Sequence, residues 1–459
     1  MAIRRYPGES EFKVFIRRDG ERLKNFEGSD NISDFVAGIM IKESIHQTCM
    51  ECVIIIDDAA GLIGALTGTE EVEIFVKTPV GDRTYKFRSI GISDRVIGRS
   101  SNTYKLKCLS EEGIKNETIN VFGHSNVLFK NTEGSEIVKT LLKDKRFLGS
   151  NKRFYSEKTL NTHSFISPNF RPLDVLYMVA QRSIRKPKSG GMLQNGFTFF
   201  ENALGFHFKS YDKMIEDVSR QAEIFETDFI NGLARMYLYD MSDPAVNEAK
   251  DQFRLKGAGF TEDTNYMKPL RNGTYSGYSI GFDPVSLPSS QIGLSEDMPT
   301  STYRYSLSDM WNNMEHLDGR TSVNPYTQVD KTIKEYVNSS RRIRYNILPN
   351  RVFDEKTGEP QATYNELSQL EAYEFLRIQS LKNVKVSVEM PGNIDLYAGA
   401  GIDIHIPANY NDAVKEVDRR YSGRYLITSV IHSFSQTTSF TTLEICKDST
   451  RRTLGQISS

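Results

Sequence analysis

The last hundred residues constrain the fold most, because they switch once from helical to strand periodicity and then keep it. Residues 363–381, TYNELSQLEAYEFLRIQSL, carry Tyr364, Leu367, Leu370, Phe375, Ile378 and Leu381 at spacings of three to five, a helical stripe. Glu371 and Glu374 intrude on it and read as solvated edges of a partly exposed helix. The strand VKVSVEM follows, then a turn and GIDIHIP; after a polar loop, YLITSVIHSF and SFTTLEICKD close a hairpin across Ser-Gln-Thr-Thr. Alternation of this kind puts every second side chain on one face, so each strand has a buried side and a wet side. A helix leading into four or five such strands predicts a small closed β-barrel.

The other end of the chain has the same character. In residues 11–110, Phe12, Val14 and Ile16 alternate with polar neighbours, as do Phe35, Ala37, Ile39 and Ile41, and then Val72, Ile74 and Val76. Asp19-Gly20, Thr67-Gly68 and Val80-Gly81-Asp82 supply turns between them. In YKFRSIGIS the apolar parity shifts between Phe87 and Ile90, which a β-bulge or barrel corner would cause. The only helical candidate here is a short turn at Ala59–Leu66. The stretches Phe87–Ser110 and Tyr425–Lys447 share a cadence, a strand, a Ser/Thr-rich turn and a strand ending in Cys108 or Cys446. That echo points to two related barrels, with chance similarity of hairpins as the competing explanation.

Between them the pattern changes. Gly134–Leu142 and Arg171–Ile184 have helical spacing, the second opening with Pro172 in its first turn, and Phe197–Phe200 with Phe206–Phe208 predict a hairpin about ENALG. Residues 119–225 therefore read as a small α+β domain. Residues 226–286 return to strands, with Arg271-Asn272-Gly273 as a turn between NYMKPL and TYSGYSIGF. Residues 287–362 are rich in Ser, Thr, Asn and Pro, with a helix expected only at Val329–Val337, and read as a loop-rich insertion lying on a surface.

Charge and cysteine content exclude several classes. Lys plus Arg number 58 against 59 Asp plus Glu, so the chain lacks the cation surplus of a dedicated nucleic-acid binder. The basic runs Arg182–Lys188 and Arg341–Arg344 read as solvated loops or helix ends. Four cysteines in 459 residues make no disulfide framework. MAIRRYPGESEFKVF has no apolar core for a secretory signal, and no apolar run approaches the ~20 residues of a membrane helix. The expectation is a soluble chain made in a reducing cytoplasm, with no membrane insertion.

No catalytic, cofactor or metal residue is assigned. Gly277-Tyr278-Ser279-Ile280-Gly281 matches the G-x-S-x-G nucleophile elbow, with Asp403 and His405 or His432 following in hydrolase order. The elbow needs a helix after the serine, and Pro284 and Pro288 forbid one; the glycines instead allow a twisted strand close to another backbone. His46, Cys49 and Cys52 offer half a zinc site without a second pair, and the two cysteines would face opposite sides of a strand, so a structural role is expected. Gly399-Ala400-Gly401 lies between strands with no helix to hold a pyrophosphate.

The combination of VAGIMIKESI, ECVIIIDDAAGLIGAL and TGTEEVEIFVK near the start with AYEFLRIQSLKNVKVSVEM, LYAGAGIDIHIP, SGRYLITSVIHSFS and TTLEI near the end resembles the baseplate hub proteins of contractile-tailed bacteriophages and the related hub half of type VI secretion spike proteins. The matching pieces cover about half of the chain, at its two ends, and residues 287–362 are longer than the hub pattern. The resemblance implies an α+β, predominantly antiparallel β fold: two tail-tube-like β-barrels, 1–118 and 226–286 with 363–459, a small α+β domain at 119–225, and the inserted loop-rich region. It implies a homotrimer forming a pseudo-six-fold ring between a hexameric tail tube and a trimeric spike, near baseplate wedge or sheath-proximal proteins, with a channel through which DNA passes without specific binding. Such a protein would reside in the virion tail baseplate after assembly in the host cytoplasm, and would be no enzyme. The alternatives are a tail-associated hydrolase using Ser279 or paired carboxylates, and a carbohydrate-binding adhesin with Tyr275 and Tyr278 as sugar platforms.

Overall fold

In the computed structural model, the alternation at the start of the chain becomes a strand whose inward side chains are fully covered. The structure describes residues 6–24, 28–121, 128–167, 169–185, 192–224, 233–241, 251–262, 265–282, 301–338, 342–347, 367–408 and 417–450. The first barrel is built from β1 (Glu11–Arg18), β2 (Glu21–Arg22), β3 (Val36–Ser44), β4 (Glu51–Asp58), β5 (Glu71–Lys77), β6 (Asp82–Ile97) and β7 (Asn102–Leu109). Its strand order is β3-β4-β7-β6-β5-β1, all antiparallel, and a hydrogen bond from the Ile32 amide to the Val14 carbonyl (3.0 Å) brings the segment before β3 back to β1. Val14, Ile16, Ile39, Ile41, Ile54 and Ile74 are in its core.

One expectation about phase and one about helical turns differ from the structure. Phe35 and Ala37 do not share the inward phase of Ile39 and Ile41; Val36 does, because a register shift between Val36 and Gly38 inserts one residue into the alternation. A short 3-10 turn at Ser33–Phe35 also adds a second helical turn beside the expected one, which forms at Leu62–Gly64. The parity shift in YKFRSIGIS is a bulge, between Ser89 and Gly91 of β6.

The small α+β domain follows. It contains α1 (Glu111–Thr118), β8 (Leu128–Glu133), α2 (Gly134–Lys143), β9 (Phe154–Ser156), β10 (Thr162–Ile166), α3 (Pro172–Gln181), β11 (Phe197–Asn202), β12 (Gly205–Ser210) and α4 (Tyr211–Gln221). Pro172 occupies the first turn of α3, where its missing N–H costs nothing. Phe197, Phe199, Phe206 and Phe208 of the β11–β12 hairpin pack with α2 and α3 residues in a separate core.

The second barrel is formed by β13 (Leu238–Asp240), β14 (Gly257–Glu262), β18 (Val384–Pro391), β19 (Gly401–His405), β20 (Gly423–Phe434) and β21 (Ser439–Lys447). Its order is β14-β18-β21-β20-β19-β13, which repeats the first barrel's β3-β4-β7-β6-β5-β1 position for position. The hairpins of the sequence echo, β6–β7 and β20–β21, therefore occupy the same place in the two barrels. One departure is that β13 runs parallel to β19, whereas β1 is antiparallel to β5.

The insertion has its own small sheet. After α5 (Met267–Asn272), β15 (Ser276–Phe282) lies between β16 (Ser301–Ser306) and β17 (Ile343–Ile347). Short helices α6 (Leu307–Trp311) and α7 (Lys331–Asn338) flank it, and α8 (Leu367–Leu381) packs Ala372, Tyr373 and Leu376 against Tyr305 and Met310. NYMKPL, expected as a strand, ends in α5; Gly273 takes φ 71° and terminates that helix, so the turn falls where expected after an element of the other type. Pairing β15 with β16 and β17 sets it apart from the second barrel's strands, although it lies within the stretch 226–286.

Candidate functional site

The feature that organises the molecule is the seam where the two barrels share a strand. β20 pairs with β19 over Gly423–Leu426, bulges between Ile427 and Ser429, and then pairs with β3 over Ser429–Phe434. One strand thus belongs first to the second barrel and then to the first, and thirteen strands form one continuous sheet. The bulge is what re-aims it, since an extra residue bends the strand and changes its twist.

Polar groups beside the seam lock the bodies together. Glu43 lies on β3 in the phase of Ile39 and Ile41 and is buried. Its carboxylate accepts the amide of Ala203 (2.9 Å), at the tip of the β11–β12 hairpin, and that of Ala398 (3.2 Å), before β19. One side chain therefore touches the first barrel, the small domain and the second barrel. Burial pushes its pKa up to about 7 against the opposing pull of those two N–H groups. Glu201, on β11, accepts the Met50 amide (2.9 Å) and the Lys152 ammonium (2.6 Å), and Lys152 also reaches Glu112 (2.7 Å). Arg83 of β6 donates to the Ile394 carbonyl (2.9 Å) across the barrels. Further along, Arg377 of α8 donates to Asp212 of α4, and His316 sits 2.7 Å from Asp448 just beyond β21.

The chemically suggestive residues are dispersed. Ser279 is buried in the middle of β15, opposite Tyr303 on one side and Arg344 on the other, so its backbone is extended and hydrogen-bonded on both edges. A nucleophile elbow requires a sharp turn at that residue. Asp403 and His405 are on β19, and His432 is buried on β20 with Nδ1 3.1 Å from the Thr441 hydroxyl. These strands belong to a different sheet from Ser279. Pro284 and Pro288 lie outside the described residues. Gly277 has a direct steric reason: a Cβ there would sit 2.6 Å from the Tyr305 hydroxyl and 2.8 Å from the Arg342 carbonyl oxygen.

His46 is exposed, while Cys49 belongs to the small domain's core and Cys52 to the first barrel's. Cys49 precedes β4 rather than lying on it, so the two thiols are separated by domain, not merely by strand face. All four cysteines are free and buried, and no cluster of three His, Cys, Asp or Glu among the described residues is placed to hold a metal. At Gly399 and Gly401 a Cβ would strike Phe200 (2.6 Å) and Val218 (2.6 Å), so these glycines admit the hairpin and α4 rather than a phosphate. Tyr275 is buried, its ring tilted against that of Tyr326, and Tyr278 is half-buried, which removes the first as a sugar platform.

Three polar residues were misjudged as solvated. Glu371 and Glu374 are half-buried; burial raises both, Glu374 to about 7, and Glu374 accepts a hydrogen bond from Asn195 (2.9 Å). Arg185, inside the first basic run, is buried with its guanidinium 2.7 Å from Glu157 and from Glu216. In the second run, Arg344 lies over the Phe375 ring at 3.7 Å, while Arg341 and 186–188 lie outside the described residues. For Glu43 a signal existed: it continues the inward alternation of Ile39 and Ile41.

The fold thus defines an α+β chain of two mainly antiparallel barrels of the same strand order, stitched by a shared strand, with a small domain and an inserted sheet. No protein-family model matches the chain, and no curated protein matches it. Solved structures do. A tail protein from Neisseria meningitidis MC58 is similar at TM-score 0.50 and 9% identity, covering 95% of this chain and 97% of that one. A 43 kDa tail protein of prophage MuSo2 from Shewanella oneidensis is similar at TM-score 0.49 and 8% identity, with coverage of 95% and 98%. The E. coli c3393 protein, a component of the type VI secretion system, is similar at TM-score 0.39 and 9% identity, with coverage of 91% and 76%. At these identities the likeness is one of fold.

Proposed function

We propose that this chain is a structural component of a phage-type tail baseplate: a central hub whose homotrimer forms a pseudo-six-fold ring. The ring joins a hexameric tail tube to a trimeric cell-puncturing spike and leaves a channel for DNA. The observation that carries this reading is the repeated barrel, with the same strand order twice in one chain and the two copies joined edge to edge. Three copies of such a chain present six similar barrels, so one face meets sixfold symmetry while the threefold arrangement of copies meets the spike. The full-length fold likeness to a tail protein supports the same setting.

In this reading the chain divides into barrels at 1–118 and at 226–286 with 363–459, a small domain at 119–225, and an insertion at 287–362 facing a further baseplate component. The protein works by assembly rather than catalysis, in the virion, after synthesis in the host cytoplasm. DNA passes without specific binding, which a formal net charge of −1 favours, since a strongly cationic lining would retain phosphates. No helix among the described residues is long and apolar enough to cross a membrane.

Mass measurement in solution, alone and with the trimeric spike, tests the proposal. A trimer, or a stable three-to-three complex, is expected. A strict monomer that ignores the spike overturns it.

A further inference from the structure

Inside one chain the barrels meet through β20 and β3, and the strands that occupy the equivalent positions at the other end of the pair are unused. By strand order β6 corresponds to β20, and β14 corresponds to β3. β6 pairs with β5 over Asp82–Arg88, bulges between Ser89 and Gly91, and then continues to Ile97 paired, among the described residues, with β7 on one edge alone. β20 behaves in the same way up to its own bulge, but its distal half pairs with β3. β14 mirrors β3: it pairs with β18 along one edge, and among the described residues its other edge meets only the Asp240–Arg254 bridge at its start.

We infer that in the assembled ring the distal half of β6 (residues 90–97) of one copy pairs antiparallel with β14 of the next copy, reproducing between copies the β20–β3 junction within a copy. The inference rests on the trimeric-ring reading and names the strands that close it. Carrying the β20–β3 register onto the equivalent strands sets Val96 opposite Gly259 and Ile97 opposite Ala258. A lone chain leaves Val96 66% and Ile97 71% exposed, and Phe260 of β14, edge-on to Tyr421, is still 39% exposed. An apolar open edge at the margin of a sheet invites pairing with another strand. Gly257, Ala258 and Gly259 keep β14 slim enough for a strand to approach. A second irregularity between Ser93 and Val96, with Asp94 at φ 51°, restricts which edge can fit. Three internal and three intersubunit junctions would alternate round the ring and leave no edge at these positions.

The test is a cysteine pair in the full chain. Val96→Cys with Gly259→Cys should form disulfide-linked dimers and trimers under mild oxidation, because facing strands bring Cα atoms within the ~4.4–6.8 Å a disulfide needs. Neither single variant should, as the native cysteines are buried. A Cβ at Gly259 meets nothing nearer than 3.9 Å, so the variant tolerates it. Independently, Val96→Asp should reduce the mass from three chains to one of 52.2 kDa with an unchanged melting curve. A wild-type trimer whose double-cysteine variant fails to cross-link, and whose Val96→Asp form stays trimeric, overturns this inference and leaves the ring standing. A wild-type monomer that fails to cross-link overturns both.

Discussion

Arg377 and Asp212 offer the sharpest stability test, because both side chains are wholly buried and each is the other's charge partner. Arg377 also donates to the Glu315 carbonyl, while Asp212 accepts the Glu315 amide (3.2 Å), so the pair bolts α8, α4 and the segment after α6 together. Arg377→Met keeps the stem's length and removes the charge, stranding the Asp212 carboxylate in the interior. Breaking a buried pair from one side costs about 3–5 kcal/mol, since the surviving charge keeps its desolvation penalty without its attraction. The single tryptophan, Trp311, is buried on α6 and stacks on His316 at 4.0 Å, so its fluorescence reports this region. With a urea dependence of about 2 kcal/mol/M, a loss of ~4 kcal/mol moves the Trp311 midpoint down by roughly 2 M. Arg377→Met with Asp212→Leu should recover most of that, because both charges leave together. A single variant within about 0.3 M of wild type refutes the argument; a double variant as weak as the single one assigns the loss to packing instead.

Three further outcomes follow from the geometry. Glu43 has a folded pKa of about 7 against 4.5 for the free group, so between those values the folded chain holds a proton the unfolded chain has released. Stability should therefore fall as pH rises from 4.5 to 7, by up to about 3 kcal/mol, and level off above; Glu43→Gln should flatten that slope in denaturation midpoints taken across the window, and equal slopes refute the assignment. Gly205→Ala should lose about 1–3 kcal/mol by thermal melting, because φ is 138° and the new Cβ would lie 2.4 Å from the Arg153 carbonyl oxygen, whereas an unchanged melt means the hairpin relaxes freely. Ser279→Ala should leave any ester hydrolysis by the purified protein unaltered, since that serine sits mid-strand between β16 and β17; a loss confined to the variant would revive the hydrolase alternative.

What could be read from the residues was whatever depends on neighbours a few positions apart. Val14, Ile16, Ile74 and Val388 show their buried face by alternation, and Pro172 marks the start of α3, because both signals are local. Phase failed where the backbone slips without a mark: the shift between Val36 and Gly38 moved Ala37 outward, yet Phe35, Ala37, Ile39 and Ile41 alternate unbroken through it, unlike the parity break that marks the bulge of β6. Arg185 and Arg377 were opaque for a different reason. Their partners, Glu157, Glu216 and Asp212, are supplied by chain segments brought near only by the fold, so a charge that reads as solvated is in fact paired. The element type of NYMKPL was missed because six residues with one proline fit either pattern.

The seam itself was the least legible feature and matters most. Nothing in YLITSVIHSF distinguishes a strand with one partner set from a strand with two, since alternation records which face is buried and not which edge is bonded. The change of partner is visible only in the bulge at Ile427–Ser429 and in the residues around β3 that receive it, Ser44 donating to the Thr428 carbonyl (3.2 Å) and Ser429 to the Glu43 carbonyl (3.2 Å). The Thr428 carbonyl also accepts the Ile45 amide (3.0 Å), so backbone and hydroxyl donors together serve the place where the regular ladder is interrupted. At the corresponding bulge of β6 the Ser89 amide bonds the Glu70 carbonyl (2.7 Å), and beyond Gly91 the strand pairs with β7 alone among the described residues. The pair of barrels therefore holds one completed junction, β20 with β3, and one edge without a strand partner among the described residues on each side, β6 beyond its bulge and β14, in positions equivalent to the two strands that do pair.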